Sequence, residues 1–255
     1  MAPYTGRMRV LVVSDVHANL AALEAVLRDA RAGGALDAVW SLGDCVGYGP
    51  QPGDCLSRLS DEGAAFVAGN HERAATGAIS VDDFNPDARA AALWTADRLA
   101  ADEKASLDAM PETRVEAEHF SLVHGTLRWP IWEYLSSAEA GAAHLALQET
   151  PFGFCGHTHV PAIASLDEDA PGGCDFRRLA DGQSVSLDPG TKVVINPGSV
   201  GQPRDGDPRA SYAVYDSETQ SVTLRRVEYD IGSTQRLMEA ADLPRWLIER
   251  LSEGS

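Results

Sequence analysis

A stretch near the start of the sequence reads Arg9-Val10-Leu11-Val12-Val13-Ser14-Asp15-Val16-His17. Its first five residues form a short, β-rich and mainly apolar run of the kind found in a buried strand. The run breaks at Ser14, and Asn19 can cap a following helix in which apolar residues recur at helical spacing. The stretch therefore predicts a buried strand, a loop that carries Asp15 and His17, and then a helix.

The same pattern recurs twice downstream. Residues 36–42 predict a second strand, which breaks at Gly43-Asp44, and Pro52 opens another helix. Residues 64–68 predict a third strand, which breaks at Gly69-Asn70-His71. A βαβαβ succession of this kind implies parallel strands joined by helical crossovers.

The middle of the chain adds helices and two more strands. Asn85-Pro86 begins a helical stretch that Pro111 closes, and we interpret residues of about 80–112 as a helical cap inserted into the core fold. Residues 120–123 predict a strand that breaks at His124. Residues 136–148 predict a helix, and residues 152–155 a strand that breaks at Gly156-His157-Thr158-His159.

After Val160 the chain changes to short alternating segments between Gly, Pro and Asp clusters. These segments are Cys174 to Leu179, Ser184 to Leu187, Val193 to Asn196, Ser211 to Tyr215 and Val222 to Val227. They predict antiparallel strands that form a second sheet packed on the first, followed by a short helix at 246–251. With no internal repeat and no linker, the chain is expected to be one domain over residues 1–255.

Composition limits the classes of partner. The 255 residues carry a formal net charge of -17, and such an acidic surface repels polyanions, so we expect no extended nucleic-acid binding. Residues 1–9 contain no apolar run and no stretch has membrane length, so a soluble, cytoplasmic protein without a membrane partner is expected. The four cysteines lack C-x-x-C spacing and are expected to be free thiols. A homo-oligomer is compatible with this composition.

Metal-competent side chains follow five of the predicted strands. They are Asp15, His17, Asp44, Asn70, His71, His124, His157 and His159. Ligands of open α/β sheets bind beyond the carboxyl ends of the strands, so these loops can converge. Each residue alone has a simpler interpretation, as a helix cap, a core histidine or a turn. Together, two carboxylates, an amide and four imidazoles besides His71 predict a site for divalent manganese, iron, zinc or nickel.

The same blocks resemble the signature of the calcineurin-like metallophosphoesterases. They are Asp15-Val16-His17, Gly43-Asp44, Gly69-Asn70-His71-Glu72, His124-Gly125 and Gly156-His157-Thr158-His159, in the family's order. The resemblance spans residues 10–160. It implies an α/β fold in which a two-sheet β-sandwich is flanked by helices, with the cap as a helical insertion.

The resemblance also implies a role for each matched residue. Asp15, His17 and His159 would bind one divalent ion, with manganese expected first. A second ion would be bound by Asn70, His124 and His157, and Asp44 would bridge the two. A hydroxide held between the ions would attack a phosphate ester. His71 would face the leaving-group oxygen as general acid or as a stabiliser of its charge.

The chain departs from the relatives that dephosphorylate proteins. Those carry G-D-x-V-D-R-G, whereas Gly47 and Tyr48 stand here where Asp and Arg would be. A protein Ser/Thr phosphatase is therefore disfavoured, and His71 has no assigned partner. Small bacterial-type members, including phosphodiesterases, are more similar in three segments: Gly47 to Pro50, Trp132-Glu133-Tyr134, and Asn196 to Arg204.

These features predict a phosphodiesterase that acts on a small or nucleotide-like phosphoester. A phosphomonoesterase and a non-catalytic metal-binding module of the same fold remain alternatives. Arg204 is a candidate phosphate contact, or else a surface arginine after a turn. Tyr48 is a candidate stacking residue. Trp94 and Trp132 could also stack, although core packing is the expected role of each tryptophan.

Overall fold

The structure, a computed structural model, describes residues 7–167 and 169–255; residues 1–6, which belong to the segment in which no secretory signal is expected, lie outside this range. Within these residues the chain forms twelve strands and eight α-helices. The strands are β1 Arg9–Val13, β2 Ala38–Ser41, β3 Ala65–Phe66, β4 Thr113–Glu116, β5 Phe120–Val123, β6 Phe152–Phe154, β7 Ala162–Leu166, β8 Cys174–Arg178, β9 Ser184–Ser186, β10 Val193–Asn196, β11 Ala210–Asp216 and β12 Ser221–Val227. The helices are α1 Leu20–Ala32, α2 Pro52–Asp61, α3 Asn70–Thr76, α4 Pro86–Arg98, α5 Ala101–Asp108, α6 Ala138–Leu147, α7 Ile231–Ala240 and α8 Arg245–Glu253.

The strands form two mixed six-stranded sheets, flanked by helices as predicted. The first sheet has the order β3-β2-β1-β11-β12-β9, and the second has the order β4-β5-β6-β10-β7-β8. β1, β2 and β3 are parallel, and so are β5, β6 and β10. The predicted βαβαβ start is therefore confirmed, with α1 and α2 as the crossovers.

The prediction that the late strands make up the second sheet by themselves is wrong. β11 pairs antiparallel with β1, with Val12 opposite Ala213, so β11, β12 and β9 complete the first sheet. β10 lies between β6 and β7 and runs parallel to β6. Alternating hydrophobicity specifies which face of a strand is buried, but it does not specify the neighbouring strand.

Two sheets and two helical layers enclose the apolar core. Between the sheets, the buried Trp40 ring of β2 lies 5.1 Å from the Phe120 ring of β5 and 6.0 Å from the Phe154 ring of β6, centroid to centroid. Helix α1 buries Leu23 and Val26 on the outer face of the first sheet, and α6 covers the outer face of the second. The packing holds the strand ends of the two sheets in a fixed relation.

The cap segment is helical, as predicted, and forms α4 and α5. In α4, Ala88 and Ala91 are buried in one apolar cluster with Tyr48 and with Leu247 of α8. Asn85 caps α4 by accepting a hydrogen bond from the amide of Ala88 at 2.9 Å. The segment thus packs beside the loop that follows β2.

The four cysteines are buried and free, as predicted. None of the helices described is long and apolar enough to cross a membrane.

Arg9 is the one charged residue of β1. Its guanidinium Nη1 donates hydrogen bonds of 2.8 Å to the carbonyls of Ala30 and Gly34, at the end of α1. The Ala30 carbonyl belongs to the last turn of α1, where the carbonyls lack helical partners and carry the negative end of the helix dipole, and Gly34 follows the C-cap Gly33. Arg9 therefore ties β1 to the helix that crosses over it.

We expect Arg9→Met to lower the free energy of unfolding by about 1.5–3 kcal/mol, because two charge-assisted hydrogen bonds are lost inside the protein. Urea unfolding followed by circular dichroism measures the change. Arg28→Met on the exposed face of α1 is the matched control and should change the stability by less than about 0.5 kcal/mol. Equal losses in the two variants would contradict this role of Arg9.

Candidate metal centre

The loops after β1 and β6 bring the first group of predicted ligands together. His159 Nε2 lies 3.2 Å from Asp15 Oδ1, and His17 Nε2 lies 3.1 Å from His159 Nε2. All three side chains are buried. One potential ligand atom from each of them lies within 4.8 Å of the other two, a spacing that could hold a metal ion.

The loops after β2, β5 and β6 form a second group. His124 Nε2 lies 3.2 Å from Asp44 Oδ2 and 3.1 Å from His157 Nδ1. These three side chains are also buried and also satisfy the 4.8 Å spacing. Asp44 Oδ2 is in addition 3.7 Å from His17 Nε2, so the Asp44 carboxylate lies between the two groups.

The outward nitrogen of each of these four histidines is within hydrogen-bond distance of a backbone carbonyl. The contacts are His17 Nδ1 to Val46 (3.2 Å), His124 Nδ1 to Leu42 (2.8 Å), His159 Nδ1 to Gln202 (2.6 Å) and His157 Nε2 to Trp132 (3.1 Å). A carbonyl only accepts, so each of these nitrogens carries the proton. The opposite nitrogen of each ring then presents its lone pair to the centre when the imidazole is neutral, as a metal ligand must.

Burial favours the neutral rings. It lowers the pKa of His157 to about 3, holds that of His17 well below its usual range and lowers that of His159. His124 differs: burial opposes its charge, but the Asp44 carboxylate outweighs burial and raises its pKa to about 9. Without a cation, a proton on His124 balances Asp44.

The donor set fits one or two bound cations. Lone pairs that face each other at 3.1 Å repel unless a proton or a cation lies between them. Asp15 Oδ1 and Asn70 Oδ1 are buried and have no hydrogen-bond partner among the described residues. Divalent ions of the manganese-to-zinc series would satisfy these atoms and the imidazoles together.

The backbone is strained where these side chains are presented. Positive φ occurs at Asp15 (52°), His17 (47°), Asp44 (52°), Tyr48 (59°), His157 (66°) and His159 (59°). Left-handed conformations of residues other than glycine cost on the order of 1 kcal/mol or more each, and they concentrate at functional sites. These strained conformations turn the side chains towards one point.

Glu72 supports the centre, although no role was predicted for it from the sequence. It is fully buried, and its Oε2 accepts hydrogen bonds of 2.7 Å from the amides of Gly69 and Asp44. Its Oε1 accepts from the amide of Val46 at 3.2 Å. Glu72 thereby joins the loops after β2 and β3. The sequence feature that could have indicated this role is the position of Glu72 at the end of the Gly69-Asn70-His71-Glu72 block.

His71 lies at the edge of the centre in an aromatic box. Its ring is 4.3 Å from the Tyr48 ring and 5.6 Å from the Phe84 ring, centroid to centroid. Its amide donates to Asp44 Oδ1 at 3.0 Å, while Nδ1 has no hydrogen-bond partner among the described residues. Burial lowers the pKa of His71 to about 4. His71 also meets the 4.8 Å spacing with His17 and Asp44, so its predicted role outside the ligand set stays a prediction.

Position 47, where the protein phosphatases carry an aspartate, has no room for a side chain in this protein. Its φ is +86°, and a Cβ built there would lie 2.2 Å from His71 Nδ1. The imidazole therefore packs directly on the backbone of residue 47. Ring packing and the amide contact to Asp44 hold His71 here.

The remaining candidates lie next to the centre. The Tyr48 ring is 4.5 Å from the His17 ring, and the Arg204 guanidinium is 5.7 Å from the Tyr48 ring. Trp132 is 46% exposed, so its expected place in the core is wrong, and its ring meets Phe84 edge-on at 6.2 Å. Trp94 is partly buried against the apolar cluster that contains Ala88 and Leu247, so it packs as predicted.

Comparison with known proteins gives one family. Residues 8–220 match the model of the calcineurin-like phosphoesterase superfamily domain. An uncharacterized protein of Methanocaldococcus jannaschii is 35% identical over 249 residues, which covers 96% of this chain and 98% of that protein.

Solved structures agree with that match. A metallophosphoesterase from Sphaerobacter thermophilus is 44% identical with a TM-score of 0.87, over 98% of this chain and all of the other. A hypothetical protein from Pyrococcus horikoshii shares the fold at 19% identity with a TM-score of 0.77, over 97% of this chain and 99% of the other. The order of the motif blocks, the two-sheet fold and these matches together show that the chain belongs to the calcineurin-like phosphoesterase superfamily.

Proposed function

We propose that this protein is a dinuclear metal-dependent hydrolase of small phosphodiesters. Family membership implies a phosphoric ester hydrolase. The observation that carries the dinuclear centre is the set of imidazoles fixed by backbone carbonyls, with their opposite nitrogens aimed at two carboxylates. Seven ligands for a single ion would exceed the four to six that transition metals take, which supports two ions.

The proposed ligand sets follow the two clusters, with Asn70 added because its Oδ1 is buried without a hydrogen-bond partner among the described residues. Asp15, His17 and His159 hold one ion, and Asn70, His124 and His157 hold the other. Asp44 bridges them because its carboxylate lies between the groups. Manganese is proposed first, with iron, zinc or nickel as alternatives for the same donors.

When bound, two such ions polarise a phosphoester and make a water molecule a stronger nucleophile at neutral pH. The protein side chains supply the rest. His71 stands at the edge of the centre, where a proton donor or a hydrogen-bond donor can meet the leaving-group oxygen. Arg204 and Tyr48 border the same edge, and a guanidinium there can hold a phosphate oxygen.

The surroundings of the centre support a diester. The aspartate and the arginine of the protein phosphatase motif are absent, because Gly47 and Tyr48 occupy their positions. The rings of Phe84 and Trp132 offer surfaces for a flat substituent on the second ester oxygen. We also propose that residues 80–112 cap this side of the centre and limit the bulk of the substrate.

Two substrates separate the diesterase from the monoesterase alternative. The protein loaded with manganese should hydrolyse bis(p-nitrophenyl) phosphate with a higher kcat/KM than p-nitrophenyl phosphate. A strong preference for the monoester would reject the first choice and leave a phosphomonoesterase. A lack of hydrolysis with either ester in metal-loaded protein would favour the non-catalytic module.

Asp44→Asn should reduce the metal content of both sites, because it removes the shared negative charge. Elemental analysis of dialysed protein measures the stoichiometry, which should fall from about two ions per chain towards zero. Asp61→Asn on the exposed face of α2 is the matched control. An unchanged metal stoichiometry in Asp44→Asn would refute the bridging role.

His71→Ala should keep the metals and lose turnover, because a general acid contributes about 10²–10⁴-fold to the rate. Elemental analysis and kcat for bis(p-nitrophenyl) phosphate are measured on one preparation. His119→Ala, in the turn between β4 and β5, is the control. If His71→Ala emptied a site, His71 would be a ligand and the assignment would be wrong.

Gly47→Ala should lower kcat because the added Cβ displaces the His71 ring, while the metal content stays unchanged. Gly63→Ala is a close control, since Gly63 also has a positive φ, of +65°, but nothing within 4 Å of the added Cβ. Both variants should lose roughly 1 kcal/mol of stability through the strained backbone. Equal kcat values in the two variants would show that packing against residue 47 does not position His71.

A further inference from the structure

A cavity of about 290 Å³ lies beside the loop that carries His157 and His159, and of its lining residues the proposed reaction uses only Arg204. Its walls include Tyr134, Thr158, Val160, Phe176, Arg178 and Arg204. This volume is at the lower end of the range for small-molecule sites, so it suits a single nucleoside-sized group and not a polymer.

The cavity shares a wall with the candidate ligand loop. The Tyr134 ring stacks on the His157 ring at 4.2 Å with an interplanar angle of 10°. Thr158 stands between His157 and His159 in the chain, and the amide of Arg204 donates to the His159 carbonyl at 3.3 Å. The cavity and the candidate centre are therefore adjacent, with Tyr134, Thr158 and Arg204 between them.

Two positive charges in the cavity have no counter-charge among the described residues. Most arginines of the described residues pair with a carboxylate, as Arg177 does with Asp175 at 3.6 Å. Within residues 7–167 and 169–255, neither Arg178 nor Arg204 forms an ion pair with any carboxylate. Arg204 Nη2 donates to Gln202 Oε1 at 2.9 Å, and its Nε is buried without a hydrogen-bond partner. In a chain with a net charge of -17, two unpaired guanidinium groups in one cavity favour an anionic ligand.

β8 explains how one arginine enters the cavity and its neighbour does not. Successive side chains of a strand point to opposite faces. Phe176 and Arg178 pair with Ala164 and Ala162 of β7 and line the cavity, whereas Arg177 pairs with Ile163 and lies on the other face. The strand thus places an aromatic ring and a guanidinium side by side.

We propose that this cavity binds a second phosphate of the substrate, together with the ring system that carries it. The reacting phosphate would be neutralised at the metal centre and at Arg204, so a substrate with only that phosphate leaves Arg178 unpaired. Tyr134, Val160 and Phe176 suit the flat, apolar part of a nucleoside. The substrate class is a small nucleotide-like phosphoester that carries a second phosphate group, and this inference rests on the proposed function.

The test compares two ligands that differ by one phosphate. Calorimetry on manganese-loaded protein measures the Kd of adenosine 3′,5′-bisphosphate and of adenosine 5′-monophosphate. The bisphosphate should bind at least about tenfold more tightly, because an added charged hydrogen bond is worth one to two powers of ten in affinity. Arg178→Met should reduce this ratio roughly tenfold or more.

Arg177→Met is the matched control, with the same charge change one residue away on the opposite face. Its ratio should equal that of the unsubstituted protein. Equal ratios in Arg178→Met and the unsubstituted protein, or equal reductions in the two variants, would overturn the second phosphate site. Equal reductions would mean that the affinity for the bisphosphate depends only on the general surface charge.

Hydrolysis of bis(p-nitrophenyl) phosphate by the same unsubstituted preparation separates this inference from the proposed function. Hydrolysis without discrimination between the two nucleotides would reject the cavity and keep the hydrolase. Discrimination that is lost in Arg178→Met, in protein that hydrolyses no ester, would keep the cavity as a binding site and reject the hydrolase.

Discussion

The candidate centre depends on four hydrogen bonds from imidazole rings to backbone carbonyls. Each bond fixes the protonated nitrogen of one histidine and turns the other nitrogen towards Asp15 or Asp44. Without these contacts the rings could rotate or exchange tautomers, and the lone pairs would no longer converge. The carbonyls belong to Leu42, Val46, Trp132 and Gln202, so loops far apart in the sequence have to be in place before the centre exists.

The two sheets explain how this is achieved. Asp15, His17 and Asp44 follow strands of the first sheet, whereas His124, His157 and His159 follow strands of the second. Each candidate metal group takes side chains from both sheets, so the packing between Trp40, Phe120 and Phe154 sets the width of the centre. Backbone strain is concentrated at the strand ends, because the sheets are rigid and the loops have to turn the candidate ligands towards one point.

Much of this arrangement could be predicted from the sequence, because it is encoded locally. The apolar run of β1, the Asn19 cap and the break at Asp15 each act within a few residues, and the motif order predicted the candidate ligands that the fold brings together. The pairing of β11 with β1 could not be predicted, since periodicity fixes a face and not a partner. The roles of Gly47 and Arg178 depend on contacts across the fold and became visible only with the structure.

The location of bound metal tests the dinuclear centre. A crystal of the manganese-loaded protein, measured at the manganese absorption edge, should show two anomalous peaks about 3.5–4 Å apart. One peak should be bound by Asp15, His17 and His159, the other by Asn70, His124 and His157, with Asp44 between them. A lack of metal at these side chains, or a single ion bound by His71, would contradict the dinuclear centre.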